Sequence, residues 1–324
     1  MTTRSPGVTV PLPAKLGDQA ELLAEIEALG YKEAWSSEAN GADAFTPLVL
    51  AAVHAPSLRL GTAIVPAYTR GPALMAQSVA SMASVAPGRF VLGLGSSSNV
   101  IVEAWNDIPF EEPYKKTRDM VRFLRMALTG DKVTQDFDTF SVKGFRLGME
   151  TPDQPVPILI AALREGMLRL AGREGDGAII NWLSADDVSK VAGIVNDQGD
   201  DKEIVARLFV CPNPDRETVL PQAKRAIAAY VNVPVYRAFH EWLGRTDTLG
   251  KHWELWDAGD RAGAVEAMPD EVVDELVIHG TPEECRAHIE RYFDNGVTTT
   301  SVSVMPFGGI DTMQAIRDLA PNNG

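Results

Sequence analysis

Three short stretches put small or polar residues where an apolar run stops, and each suits a particular chemical task. GRFVLGLGSSSN, at 88–99, climbs through an apolar run and halts at Gly95, followed by Ser96, Ser97 and Ser98. A glycine lets a ligand approach the main chain, and serines add hydroxyls to the backbone N–H groups, a combination suited to phosphate. AALREG, at 161–166, runs from Ala161 and Ala162 through Leu163 to Arg164, a cation where a helical pattern begins. A cation at a helix N-terminus again suits an anion. KEAWSSE, at 32–38, ends on Glu38, a carboxylate able to accept from a cofactor edge or to exchange a proton. Tyr68, Asn181 and Trp182 also close apolar runs and offer hydrogen bonds or a flat face to a small substrate.

Each has a plainer reading. The serines suit a strand-to-helix loop, Glu38 a solvated loop, and Arg164 a surface. GLGSSS is half of a dinucleotide fingerprint, GxGxxG, but Ser98 stands where the third glycine belongs, so the match fails. Trp253 and Trp256 suit core or interface packing better than a pocket. His240 and His252 lack ligand spacing, no HExxH occurs, and no metal site is expected. Cys211, at a strand end before Pro212, suits a small buried hydrophobe.

The elements that must position these residues alternate. Short strands are expected at 7–13, 32–38, 58–68, 89–95, 157–161, 177–181, 204–210 and 298–304. Helices are expected at 18–29 with Asp18 and Glu21 as a capping box, at 43–55, 71–86, 113–129 and 164–173, and at 184–196 capped by Ser184. A long helical stretch covers 215–267, a capped helix starts at TPEE (281–284), and DTMQAIRDLA closes the chain. The alternation at 133–145 predicts a hairpin inserted into the series. Most strand runs are continuous and apolar, as in a parallel sheet buried on both faces. Eight βα units in 324 residues with no dividing linker predict one domain, 1–324, folded as a (β/α)8 TIM barrel with insertions; a doubly wound open sheet is the competing architecture. In a barrel, function gathers at the C-terminal strand ends, where the three stretches above and Tyr68, Asn181 and Trp182 lie.

The totals bound the partners. With 44 acids against 30 bases the formal net charge is −14, which disfavours nucleic acid and anionic membranes. No apolar run approaches the roughly 20 residues of a membrane span. Two distant cysteines suit a reducing cytoplasm and no disulfide framework.

Order and spacing carry a resemblance. LGTAIVP, then GPALMAQSVASMASVAPGRFVLGLGSS and ILIAALREGMLRLAGREGDGAIINWLS, with AYVNVPVYRAFHEWLG and GTPEECRAHIERYFDNGV further on, resemble the bacterial luciferase-like superfamily over about 8–307. More narrowly they resemble its branch that uses the deazaflavin coenzyme F420. The resemblance implies a three-ring cofactor at the barrel mouth, backed by a non-proline cis peptide that by position is Ala63–Ile64. It implies that Gly95, Ser96, Ser97 and Ser98, with Ala161, Ala162, Leu163 and Arg164, hold the ribityl chain and phosphate, and that Glu38 lies near the ring. The implied activity is hydride transfer between the deazaflavin and a small organic substrate. An FMN-dependent monooxygenase and a non-catalytic cofactor-binding relative are the alternatives. A homodimer is also implied, with the stretch around 225–245 as a candidate interface. Two positions depart from the family. Ala39 stands where many relatives carry a histidine near the reacting carbon, so the accompanying proton needs another group (Glu38, Tyr68, Ser96 or Asn181 by position) or water. Leu163 and Arg164 stand where relatives often have glycine.

Overall fold

The computed structural model describes residues 4–199 and 202–323. Eight strands form the barrel: β1 (Ser5–Thr9), β2 (Glu33–Ser36), β3 (Arg59–Thr62), β4 (Phe90–Gly95), β5 (Ile158–Ala161), β6 (Gly177–Asn181), β7 (Glu203–Cys211) and β8 (Thr299–Val304). Every neighbouring pair is parallel, and β8 returns to β1 with Ser5 opposite Thr299 and Val8 opposite Val302. The sheet therefore closes, and the open-sheet alternative is excluded.

The apolar runs explain the closure. Successive side chains on a strand point to opposite faces. Along β4, Phe90, Leu92 and Leu94 join the core beneath the helices while Val91 joins a separate interior cluster. Leu159, Ile179 and Val205 bring β5, β6 and β7 into that same interior, beside Trp35 of β2. The indole of Trp35 fills the space over Gly61, where an added Cβ would stand 2.1 Å from the ring. Below this layer, at the N-terminal strand ends, Arg59 donates to both oxygens of Glu203 at 2.6 and 2.7 Å and to Glu33 at 3.2 Å. Trp35 Nε1 donates to Glu33 at 3.0 Å, so apolar and ionic layers are tied together.

Helices α1 (Ala20–Ala28), α2 (Thr46–His54), α3 (Pro72–Val85), α4 (Pro113–Ala127), α5 (Glu165–Glu174) and α6 (Val188–Asn196) follow β1 to β6 in turn. The hairpin at Val133–Asp136 and Ser141–Phe145 lies between α4 and β5. Between β7 and β8 come α7 (Arg216–Val231), α8 (Pro234–Trp242), α9 (Thr246–Asp257), α10 (Arg261–Glu266), α11 (Asp270–Leu276) and α12 (Pro282–Asp294), and α13 (Thr312–Asp318) follows β8. Thr281 forms the expected capping box with Glu284 on α12.

Three local expectations fail. The box of Asp18 and Glu21 is absent, because the Gln19 amide at the start of α1 instead bridges the N–H and C=O of Leu12. Ser184 lies before a turn that precedes α6, where its hydroxyl pairs with Asp187 at 2.8 Å. The stretch 215–267 is four helices, because Pro234 starts a new one and Gly244 and Gly259 adopt φ of 95° and 86°.

Candidate functional site

The C-terminal mouth brings the predicted segments together. The Ala63–Ile64 peptide is cis and sits between β3 and a two-residue extension, Val65–Pro66, that pairs with the end of β4. The Ala63 N–H donates to Ser36 and the Ile64 carbonyl accepts from Glu38 N–H, which joins this bulge to the end of β2. A Cβ added to Gly95 would lie 2.8 Å from Ala161 Cβ and 3.1 Å from Ile64 Cδ1. Thus the ends of β3, β4 and β5 meet at one small-residue patch, flat because nothing larger than glycine fits at 95. Ala162 is buried, and its N–H donates to the Ile179 carbonyl at 3.0 Å, tying β5 to β6.

On the rim beside this patch, Ser96, Ser97 and Ser98 are half-buried, and Ser97 has φ of 63°, in the left-handed region. The Ser98 hydroxyl accepts from Ile101 N–H at 3.4 Å. Among the described residues, the Ser96 hydroxyl makes only a 3.5 Å contact with the Ser97 carbonyl. Leu163 packs half-buried against the core, while Arg164 is exposed at the N-terminus of α5 and has no ion pair among the described residues. Main-chain donors, hydroxyls and an uncommitted cation beside a flat patch fit a planar ligand with an anionic tail.

Glu38 and Tyr68 are both engaged. Arg70 Nη1 lies 2.5 and 2.6 Å from the two Glu38 oxygens, and the Thr69 hydroxyl and Ala44 N–H also donate to this carboxylate. Tyr68 donates to the Glu111 carbonyl, and burial pushes its phenol up to about 12. Both residues therefore fasten rim loops, and neither hydroxyl nor carboxylate is left without partners.

The opposite side of the mouth is aromatic. Asn181, at the end of β6, shares hydrogen bonds of 3.2 and 3.3 Å with the Tyr236 hydroxyl, whose pKa burial lifts to about 12. Trp182, at φ 53°, is buried and stacks on Phe209 with ring centres 3.9 Å apart. Sequence reasoning passed over Arg70, Arg207, Phe209, Tyr230 and Tyr236. Arg207 had a signal: it is the one charge inside IVARLFV, two residues from the inward-facing Val205.

The remaining candidates are structural. Trp253 is buried and donates to the Val231 carbonyl, and His252 lies 2.9 Å from Asn232 and 2.7 Å from the Ala264 carbonyl. Cys211 is buried, and burial pushes its thiol up to about 11. Among the described residues no three His, Cys, Asp or Glu side chains gather as a metal site, and no helix is long and apolar enough to cross a membrane. A cavity of about 600 Å³ between α4 and the hairpin lies away from the mouth, and its cations are already paired, Arg118 with Asp119 and Asp138, Arg122 with Glu174 and Arg125 with Asp176.

A closed (β/α)8 barrel with a flat, donor-rich patch at the C-terminal ends of its strands is the scaffold of a cofactor-binding barrel enzyme. The chain matches the luciferase-like monooxygenase family over residues 1–299 and belongs to that family. A 5,10-methylenetetrahydromethanopterin reductase of Methanolobus tindarius is 29% identical, over 84% of this chain and 85% of its own. An F420-dependent glucose-6-phosphate dehydrogenase of Mycobacterium avium is 27% identical, over 74% of this chain and 71% of its own. The solved coenzyme F420 dependent tetrahydromethanopterin reductase of Methanopyrus kandleri shares the fold, with a TM-score of 0.80 over 98% of each chain at 21% identity.

Proposed function

We propose that this chain is a coenzyme F420-dependent oxidoreductase acting on a small organic substrate. The observation that carries the reading is the meeting of Ile64, Gly95 and Ala161 in one patch that no larger side chain can enter. The F420-dependent dehydrogenase relative supports the choice of cofactor within the family. When bound, the deazaflavin supplies a ring carbon that gives or takes hydride.

The chain's own part is holding and orienting. The Ala63–Ile64 bulge would back the ring, and Ser96, Ser97 and Ser98 would present donors to the ribityl and phosphate groups. Arg164 and the N-terminus of α5 would help neutralise the phosphate. Glu38, fixed by Arg70, positions the rim. Tyr68 is spent on Glu111, and Asn181 is an amide without an acidic proton. Ser96, whose hydroxyl makes no contact shorter than 3.5 Å among the described residues, is therefore the least committed of the four positional candidates.

Titration of the full chain with oxidised F420 and with FMN, followed by tryptophan fluorescence, tests the reading. Binding of the deazaflavin in preference to FMN is expected, followed by its reduction or oxidation with a suitable acceptor or donor. Tight FMN binding with no response to F420 overturns it in favour of the monooxygenase. Binding without turnover across acceptors of every class favours the non-catalytic relative.

The protein is further proposed to pair with a second copy. The 225–245 stretch turns Ile227, Ala228, Val231 and Phe239 into its own core. Val49 and Val53 on α2, with Leu74 and Val85 on α3, are a second exposed apolar set beside Tyr230 and Val235 of the 225–245 stretch, so two faces are candidates for the interface. Light scattering of wild type and Val53→Glu distinguishes the two assignments.

A further inference from the structure

Strand β7 carries a cation on its inward face. Val205 lies in the barrel interior, and the period of two gives Arg207 the same direction one step nearer the mouth. Arg207 is in register with Asn181 of β6 on one side and Ser301 of β8 on the other. Its guanidinium carbon lies 5.3 Å from the centre of the Phe209 ring. Phe209 stacks on Trp182, Trp182 meets Tyr230 at 4.6 Å, and Tyr230 meets Tyr236 edge-on at 5.7 Å. Tyr236 returns to Asn181 through its hydroxyl, so an aromatic wall and an amide flank the cation.

Three other buried or half-buried arginines each face a carboxylate. Arg59 faces Glu33 and Glu203, Arg70 faces Glu38, and Arg245 faces Asp187 and Glu275. Among the described residues no carboxylate pairs with Arg207, and its buried Nε has no hydrogen-bond partner. Burial lowers its pKa, and the nearby groups acting against that are the phenols of Tyr230 and Tyr236. Trp182 Nε1, in the same cluster, is a second buried donor without an acceptor. An unpaired, half-buried cation is unfavourable, and an anionic acceptor at its guanidinium would offset that cost.

We propose that Arg207, flanked by Asn181 and the wall of Trp182, Phe209, Tyr230 and Tyr236, is an anion subsite of the substrate pocket, and that the substrate is a small planar carboxylate. A guanidinium recognises a carboxylate through two parallel hydrogen bonds, and the aromatic wall receives the flat body. The proposal rests on the reading of the mouth as an F420-dependent site and adds the substrate class to it.

The test is calorimetric titration of the full chain, with and without F420, using trans-cinnamate and its uncharged counterpart cinnamamide. Wild type is expected to bind cinnamate at least tenfold more tightly than cinnamamide. Arg207→Met is expected to abolish that preference and Arg207→Lys to keep cinnamate within about threefold, with cinnamamide and F420 affinities unchanged in both. Absence of cinnamate binding, equal binding of the two probes by wild type, or full preference in a folded Arg207→Met protein overturns the proposal. The wild-type comparison stands by itself should Arg207→Met not fold. Cinnamate preference without F420 binding overturns the cofactor reading and supports the subsite. F420 binding without preference overturns the subsite alone.

Discussion

A single nitrogen of Arg70, Nη1, sits within hydrogen-bond reach of both oxygens of Glu38, at 2.5 and 2.6 Å, and each side chain is only 15% exposed. The pair joins the loop after β2 to the loop after β3, and Phe45 lies under the guanidinium at 4.8 Å. Arg70→Met leaves a half-buried carboxylate facing no cation. Because some solvent reaches the pair, a loss of about 2 kcal/mol is expected, below the range for fully buried pairs. Denaturant unfolding measures it, and F420 affinity is expected to fall with it as the rim loosens. Arg70→Lys restores the charge and part of the stability. A Met variant as stable as wild type would show that Glu38 is not held by this pair.

The patch at Gly95 makes a sharper prediction. Gly95→Ala places a methyl 2.8 Å from Ala161 Cβ, so β4 and β5 must move apart or Ile64 must shift. Overpacking of this kind costs about 1–3 kcal/mol. F420 binding is expected to weaken by at least about tenfold (~1.4 kcal/mol), because the displaced atoms form the floor of the cofactor patch. The double variant Gly95→Ala with Ala161→Gly restores room and is expected to recover much of both losses. Unchanged cofactor affinity in the single variant would move the ring elsewhere on the mouth.

How much of this was legible in the sequence follows from where each signal lives. The β4 run and its neighbours were readable because both faces are buried, which leaves a continuous apolar string. The small residues at 95–98 and 161–162 were readable because they interrupt that string. The break of 58–68 at Thr62 was placed only through the family resemblance, since nothing in the local residues marks it. The four-way division of 215–267 was missed because helical periodicity persists across Gly244 and Gly259, whose positive φ is a tertiary choice. Arg207 was passed over because an apolar run does not reveal which parity faces the barrel interior until the sheet closes. Arg70 was passed over because its meaning lies in Glu38, 32 residues away.

Arg164 separates electrostatics from folding. It is exposed and has no ion pair among the described residues, so Arg164→Gln is expected to leave the melting temperature within a degree or two. F420 affinity is expected to fall about three- to tenfold at low ionic strength, and the loss is expected to shrink as salt screens the phosphate. A variant that binds F420 as wild type does at low salt would place the phosphate away from α5.

The buried His240 on α8 gives a pH dependence whose sign is fixed by its surroundings. It is fully buried, and neither ring nitrogen has a hydrogen-bond partner among the described residues. Burial first, and then the positive charge of Arg245, push its pKa down to about 4, with Asp187 opposing. In the unfolded chain an ordinary histidine titrates near 6.5. Between those values the unfolded state takes the proton and the folded state does not, so protonation favours unfolding. The contribution is complete above about 6.5 and is lost as the pH falls toward 4, reaching roughly 3 kcal/mol. Urea unfolding at pH 7.5 and 4.5 is expected to show wild type losing roughly 2–3 kcal/mol more than His240→Leu over that interval, beyond the acid sensitivity the two share. Parallel losses in the two proteins would mean that His240 accepts its proton without unfolding, and that the site opens to water more readily than its packing implies.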